Sequence, residues 1–249
     1  MAGHSKWKQI KHKKAATDAK RAQVWTKVIR EITVAARFGG GDPGGNPRLR
    51  TAMEAARAVN MPNDNIDRAI KKGTGELEGA RYDEVTYEGY GPGGAAIYIE
   101  ATTDNTNRTV AEVRHAFNRN GGSLANQNAV AWMFDRRGQI YLDGNGADEE
   151  ATLEAVLEAG AEDFQVEGDE FLVTTSPADF HAVLEKLTAR GFSVSEAELA
   201  MVPQNTVEVT GQDADQLLKL LEALEALDDV SKVFSNFDMD TSTIAEATT

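Results

Sequence analysis

The order of strand-like and helix-like segments between residues 135 and 203 limits this chain more than any other feature. A strand pattern at 139–142 is followed by a helix at 148–159, strands at 163–167 and 170–175, a helix at 177–190 and a strand at 192–199. That order is βαββαβ, the split unit of ferredoxin-like domains. The strands are read from short apolar or β-branched runs and the helices from apolar residues at helical spacing. With this block cut out, the flanks spell the same order: strand 95–101, helix 107–119, strand 129–134, then strand 205–210, helix 213–226 and strand 230–236. The expectation is an α+β multidomain protein with two ferredoxin-like domains. One is discontinuous, 79–134 plus 204–239, and carries the other, 135–203, inserted in its middle connection, because exposed loops tolerate insertions. Residues 240–249 are expected to be a flexible tail.

The first 78 residues follow a different period. Val24, Val28, Ile32 and Ala35 recur at helical spacing from Asp18 to Arg37, with Trp25 and Ile29 widening the stripe and Lys27, Arg30 and Arg37 on the opposite side. "GGGDPGGNP" (39–47) interrupts the pattern and reads as a flexible linker. Within it, Asn46 followed by Pro47 reads as an N-cap with proline in the first turn of a helix running to about Val59. Pro62, Asn63 and Asp64 open a third helix through Ile66 and Ile70 that is expected to stop at Gly73. A small helical domain preceded by a basic arm follows.

Charge divides the chain in the same place. Residues 1–72 carry 16 Lys and Arg against 6 Asp and Glu, whereas the other residues carry 10 against 34, giving the overall −14. A basic segment on an acidic protein points to an anionic partner met by that segment alone. Between positions 4 and 21 stand His4, Lys6, Trp7, Lys8, Lys11, His12, Lys13, Lys14, Lys20 and Arg21, and Lys27 and Arg30 extend the series along the first helix. Lysines neutralise backbone phosphates and release counterions, and a tryptophan among them can stack on an exposed base. A second candidate surface is Arg108, Arg114, His115 and Arg119, gathered on one helix of the acidic part after the polar loop "TTDNTN".

Several function classes lose support. No cysteine is present, so there is no disulfide, thiolate metal site or cysteine nucleophile, which suits a reducing compartment. No pair among His4, His12, His115 and His181 has a spacing that brings two rings onto one helix face, so no metal is implied. Gly89, Gly91 and Gly94 satisfy the spacing of a dinucleotide fingerprint, but a strand, "AAIYIEA", follows where a helix is required. The stretch reads as a hairpin loop, and no cofactor is implied. The longest strongly apolar run, Ala129 to Phe134, is far short of the roughly 20 residues of a membrane helix. A cytoplasmic, non-enzymatic protein is expected. A small-molecule sensor is a third class, supported by fold analogy alone.

The stretches "MAGHSKW", "IKHKKAATDAKR", "GGGDPGGNPRLR", "NMPNDNIDRAIKKGTG", "YEGYGPGG" and "DNTNRTVAEVRHAF" resemble the YebC/PmpR family, which includes the mitochondrial translational activator of cytochrome oxidase subunit one. The resemblance runs from Met1 to about Val209 and more loosely to the end. It implies a three-domain protein with a helical N-terminal domain and two α+β domains. Family members are described as probable transcriptional regulators that bind DNA, or as ribosome-associated factors that carry translation through stretches such as consecutive prolines. Carried onto this chain, the implied contact residues lie in "GHSKWKQIKHKK" and "DAKR", with Arg108, Arg114 and His115. Where relatives commonly have Gly-Lys, an aliphatic residue and Phe after "DAKR", this chain has Ala22, Gln23, Val24 and Trp25, which removes one phosphate contact. Lysine predominance in the arm suits backbone contact better than base readout. Ribosomal or transfer RNA and the ribosome are therefore favoured as partners, with DNA the alternative.

Overall fold

The structure, a computed structural model, describes residues 18–239, with side chains from residue 22 onward. The arm up to residue 17 and the expected tail at 240–249 lie outside the described residues. Two compact units are present: Phe134–Gln204 forms one, and the chain on either side of it forms the other.

The flanking unit opens with α1 (Asp18–Gly39), α2 (Pro47–Ala58) and α3 (Asn63–Thr74). Ile32, Ala35 and Ala36 of α1 meet Leu49, Ala52 and Ala56 of α2, Met61, and Ile66 and Ala69 of α3 in a small core. The many alanines bring the helix backbones close, and each of the fully buried Ile32, Leu49 and Ile66 contributes about 2 kcal/mol relative to exposure. Trp25 packs at the rim of this core and donates its indole N–H to the Val59 carbonyl at 3.1 Å, whereas Val24 is exposed.

Two details differ from expectation. The glycine-rich connection is pinned rather than flexible, because buried Asn46 caps α2 by accepting the Leu49 N–H at 3.1 Å while its amide donates to Ala35 and Gly40 carbonyls at 2.8 and 2.9 Å. One side chain thus closes both helix ends, since each terminus leaves backbone groups without helical partners. Gly73 does not end α3 but lies inside it. A Cβ there would stand 2.4 Å from the Thr33 carbonyl oxygen, so the residue permits close approach of α1 and α3, and the left-handed Gly75 is the terminator.

After this region come β1 (Asp83–Tyr90), β2 (Ala96–Thr103), α4 (Thr106–Arg119) and β3 (Ser123–Leu124); β8 (Val207–Glu208), α7 (Gly211–Glu225), β9 (Val230–Ser235) and β10 (Phe237–Asp238) complete the unit. The sheet order is β3-β1-β2-β9, with β8 and β10 paired separately and parallel. Helices α4 and α7 supply Val113, Phe117, Leu217, Leu220, Leu221 and Leu224 to a core with Ile97, Ile99, Val230 and Val233. Arg48 ties the helices to the sheet, forking onto Glu31 at 2.7 and 3.0 Å and reaching Glu84 at 2.7 Å.

The class is α+β with a helical N-terminal region, as expected, but the flanking sheet is not a second βαββαβ. The hairpin β1–β2 closes through residues 91–95 and fills the place beside β2 that the expectation gave to 205–210. A local hairpin costs far less loop-closure entropy than a strand more than a hundred residues away. The expected strand at 129–134 is also absent: residues 131–133 form a single 3-10 turn, and Phe134 already belongs to the inserted unit.

The inserted unit is built from β4 (Phe134–Asp143), α5 (Glu149–Ala159), β5 (Asp163–Glu167), β6 (Glu170–Thr175), α6 (Phe180–Ala189) and β7 (Val194–Pro203). Its sheet order is β5-β6-β4-β7 with every neighbouring pair antiparallel. This is the ferredoxin-like arrangement of the βαββαβ sequence. Ile140, Leu142, Val156, Phe171, Val173, Phe180, Val183 and Leu187 fill its core.

Candidate nucleic-acid interface

The polar side of α1 faces protein. Lys27 donates its ammonium to the Glu225 carbonyl at 2.6 Å, and Gln23 donates to Ala226, so both serve the C-terminal carbonyls of α7. A cation there satisfies acceptors that have no helical partner and complements the negative end of the helix dipole. One turn on, Arg30 reaches the Asp229 carboxylate at 2.8 Å and the main-chain carbonyls of Thr102, at 3.3 Å, and Asp228. Its guanidinium also lies over the Tyr82 ring, 5.5 Å from the centroid.

Asp229 is the centre of this joint. It is 2% exposed, and Arg108 enters from α4 at 2.6 Å through Nη2 and 3.2 Å through Nε. The hydroxyls of Thr103 and Thr109 donate to the same carboxylate at 3.1 and 2.7 Å. Burial pushes the Asp229 carboxyl up, but hydrogen bonds from Arg108, Thr109 and Thr103 and the charge of Arg30 outweigh it, and the pKa lies below the ordinary carboxylate value. Arg108 is held charged chiefly by its hydrogen bond to Asp229 and then by Asp104, 2.9 Å away. A carboxylate fixed in its ionised form by this many donors is a structural anchor and has no proton to exchange near neutral pH.

Of the residues singled out from the sequence, Arg30 and Arg108 therefore meet at Asp229, Lys27 binds the nearby end of α7, and all three donate to acceptors of the protein itself. Arg114, His115 and Arg119 are exposed on the outer face of α4 with no ion pair among the described residues. Lys20 and Arg21 fall within α1, and His4, Lys6, Trp7, Lys8, Lys11, His12, Lys13 and Lys14 lie outside the described residues. The structure adds a group that the sequence reading counted as charge but did not single out. Arg57 on α2 and Arg68, Lys71 and Lys72 on α3 are exposed and have no ion pair among the described residues. Their signal was helical spacing: Arg68 and Lys72 are one turn apart on α3 and both exposed, whereas Ile66 and Ala69 are its buried residues.

Among the described residues no group of three or more acidic or histidine side chains is arranged to hold a metal ion, and no helix is long and apolar enough to cross a membrane.

Comparison with known proteins assigns the chain. Residues 5–76 match the model of the TACO1/YebC protein N-terminal domain, and residues 82–237 match that of the TACO1/YebC second and third domain. The chain belongs to the TACO1/YebC family. Among relatives in the family, one from Gemmatimonas aurantiaca is 62% identical over 247 residues, covering 99% of this chain and 100% of the relative. Another, from Desulfatibacillum aliphaticivorans, is 54% identical over 246 residues, with 99% and 100% covered. Both carry the name probable transcriptional regulatory protein. The crystal structure of a conserved hypothetical protein from Aquifex aeolicus is 47% identical and superposes with a TM-score of 0.85 over 93% of this chain and 96% of that one.

Proposed function

We propose that this protein is a non-enzymatic, cytoplasmic regulator of gene expression that grips nucleic acid with its N-terminal arm and the exposed face of α2 and α3. The favoured target is ribosomal or transfer RNA on the ribosome, where the protein relieves stalled translation. The carrying observation is the charge division: residues 1–72 hold 16 basic and 6 acidic side chains, whereas the inserted unit, 134–204, holds 4 and 16. A polyanion is attracted to the first region and repelled by the second. Arg57, Arg68, Lys71 and Lys72 support this reading because their charges are exposed. The names of the relatives favour a second reading, a DNA-binding transcriptional regulator, which uses the same cations.

Co-sedimentation with ribosomes from a lysate, at low and moderate salt, tests the choice. The intact protein is expected in the ribosomal pellet, and the K6E/K8E/K11E/K13E/K14E variant in the supernatant. Arm-dependent, sequence-selective binding to promoter DNA without any ribosome association makes the transcriptional reading the correct one.

A further inference from the structure

The loop between β3 and the inserted unit is shaped from below by a buried acid. Glu88, on β1 and 3% exposed, accepts the main-chain N–H of Asn128 at 2.7 Å on one oxygen, and those of Val130 and Ala131 at 2.7 and 2.8 Å on the other. The Glu88 carbonyl accepts a further N–H, from Ala125, at 2.8 Å. Asn128 takes a left-handed backbone, φ 65°, and Val130 is driven fully into the interior. Three backbone N–H groups bound to one buried carboxyl group tie the loop to β1.

That fixed loop displays what most proteins hide. Trp132 is 68% exposed and Tyr90 beside it 38%. Both turn their polar atoms onto one backbone acceptor, the indole N–H and the phenol hydroxyl each donating to the Ala129 carbonyl, at 3.0 and 3.2 Å. The indole is held by its edge while its ring stays open. Asn126, Gln127 and Asn128 are exposed on the same loop, and their side-chain amides form no hydrogen bond among the described residues. No charged residue occurs from Asn120 to Met133, in a chain in which 27% of residues are charged.

We infer that this loop is a binding site for an unpaired nucleobase in single-stranded RNA, with Trp132 as the stacking platform and Asn126, Gln127 and Asn128 reading the base edge. The inference rests on the nucleic-acid reading above. Aromatic rings take unpaired bases face to face, and amide side chains pair with base edges. The lack of charge separates this role from that of the arm: the loop has nothing to neutralise a phosphate and so contacts the base. A duplex offers no free base face and gains nothing from the loop.

The test is fluorescence anisotropy with the full-length protein, using a short labelled RNA either single-stranded or annealed to its complement, across a salt series. W132A is expected to weaken single-strand binding by about 10-fold. Its duplex binding, its melting temperature and the slope of affinity against salt stay unchanged. W132F recovers most of the loss, and N126A/Q127A reduces discrimination among bases while stacking persists. The inference is overturned if W132A binds the single strand as tightly as the intact protein, or weakens both RNAs alike. If the intact protein binds RNA through its arm and W132A has no effect, only this inference falls. If the intact protein binds neither RNA at any salt, the RNA reading falls with it and the DNA-binding one takes its place.

Discussion

The cations at the Asp229 joint and those on the outer face of α2 and α3 differ in what lies opposite them, although they stand close together in sequence. Lys27 and Arg30 meet the end of α7 and a buried carboxylate, so their charge is consumed in holding α1 against the sheet. Arg57, Arg68, Lys71 and Lys72 face outward and have no ion pair among the described residues. The lesson is that a basic residue's position in a charge run does not decide its work; the burial of its nearest acceptor does. The first group should therefore respond in stability and the second in binding.

The largest effect is expected from D229A, which leaves Arg30 facing a buried site with no counter-charge. Breaking such a pair by removing one partner costs about 3 kcal/mol. The unfolding transition of the flanking unit is then expected to fall by roughly 6–12 °C in a calorimetric scan. D229N, which keeps an acceptor for the two threonines, is expected to lose about half as much. An unchanged melting temperature in D229A breaks the comparison.

Acid should reproduce part of this loss. The folded Asp229 carboxyl titrates below its ordinary value, so its contribution is fully present above the unfolded pKa of about 3.9 and is lost as pH falls through the folded value. Chemical denaturation at successive pH values below about 4 is expected to show a steeper decline for the intact protein than for D229N. Parallel curves mean that the carboxylate is not stabilised by its partners.

The smallest stability effect, and the sharpest contrast, is expected for R68E/K71E/K72E. Exposed substitutions of this kind shift stability by about 0.5 kcal/mol or less. The slope of log affinity for RNA against log salt should nevertheless fall by about 2–3 if these residues touch phosphates. An unchanged slope removes α3 from the proposed interface.

Legibility followed the distance over which a residue's partner lies. The βαββαβ unit, the β1–β2 hairpin and the Asn46 cap are all written in local patterns of period and punctuation, and the structure contains each of them. "AVAWMF" reads as a strand because nothing nearby shows that Glu88, some forty residues earlier, takes three of the N–H groups at 128–131 and folds the stretch into a turn. The exposed Trp132 was hidden inside that misread apolar run. Lys27 and Arg30 were likewise open to misplacement, because their acceptors at Glu225 and Asp229 lie about two hundred residues downstream. Gly73 looked like a stop signal because close helix approach and helix termination both call for glycine, and only Thr33, on another helix, distinguishes them.

The insertion of one unit within another has a consequence for synthesis. Chains emerge N-terminus first, and domains tend to fold as units when complete. Phe134–Gln204 is complete while α7 and β9 have yet to be translated. Until those late segments arrive, Ile97, Ile99 and Phe117 lack the leucines of α7 that cover them, and Arg30 and Arg108 lack the acceptor at Asp229. A nascent chain of this protein therefore carries a finished middle and an open beginning, and residues 211–239 close a core whose first strands lie more than a hundred residues earlier.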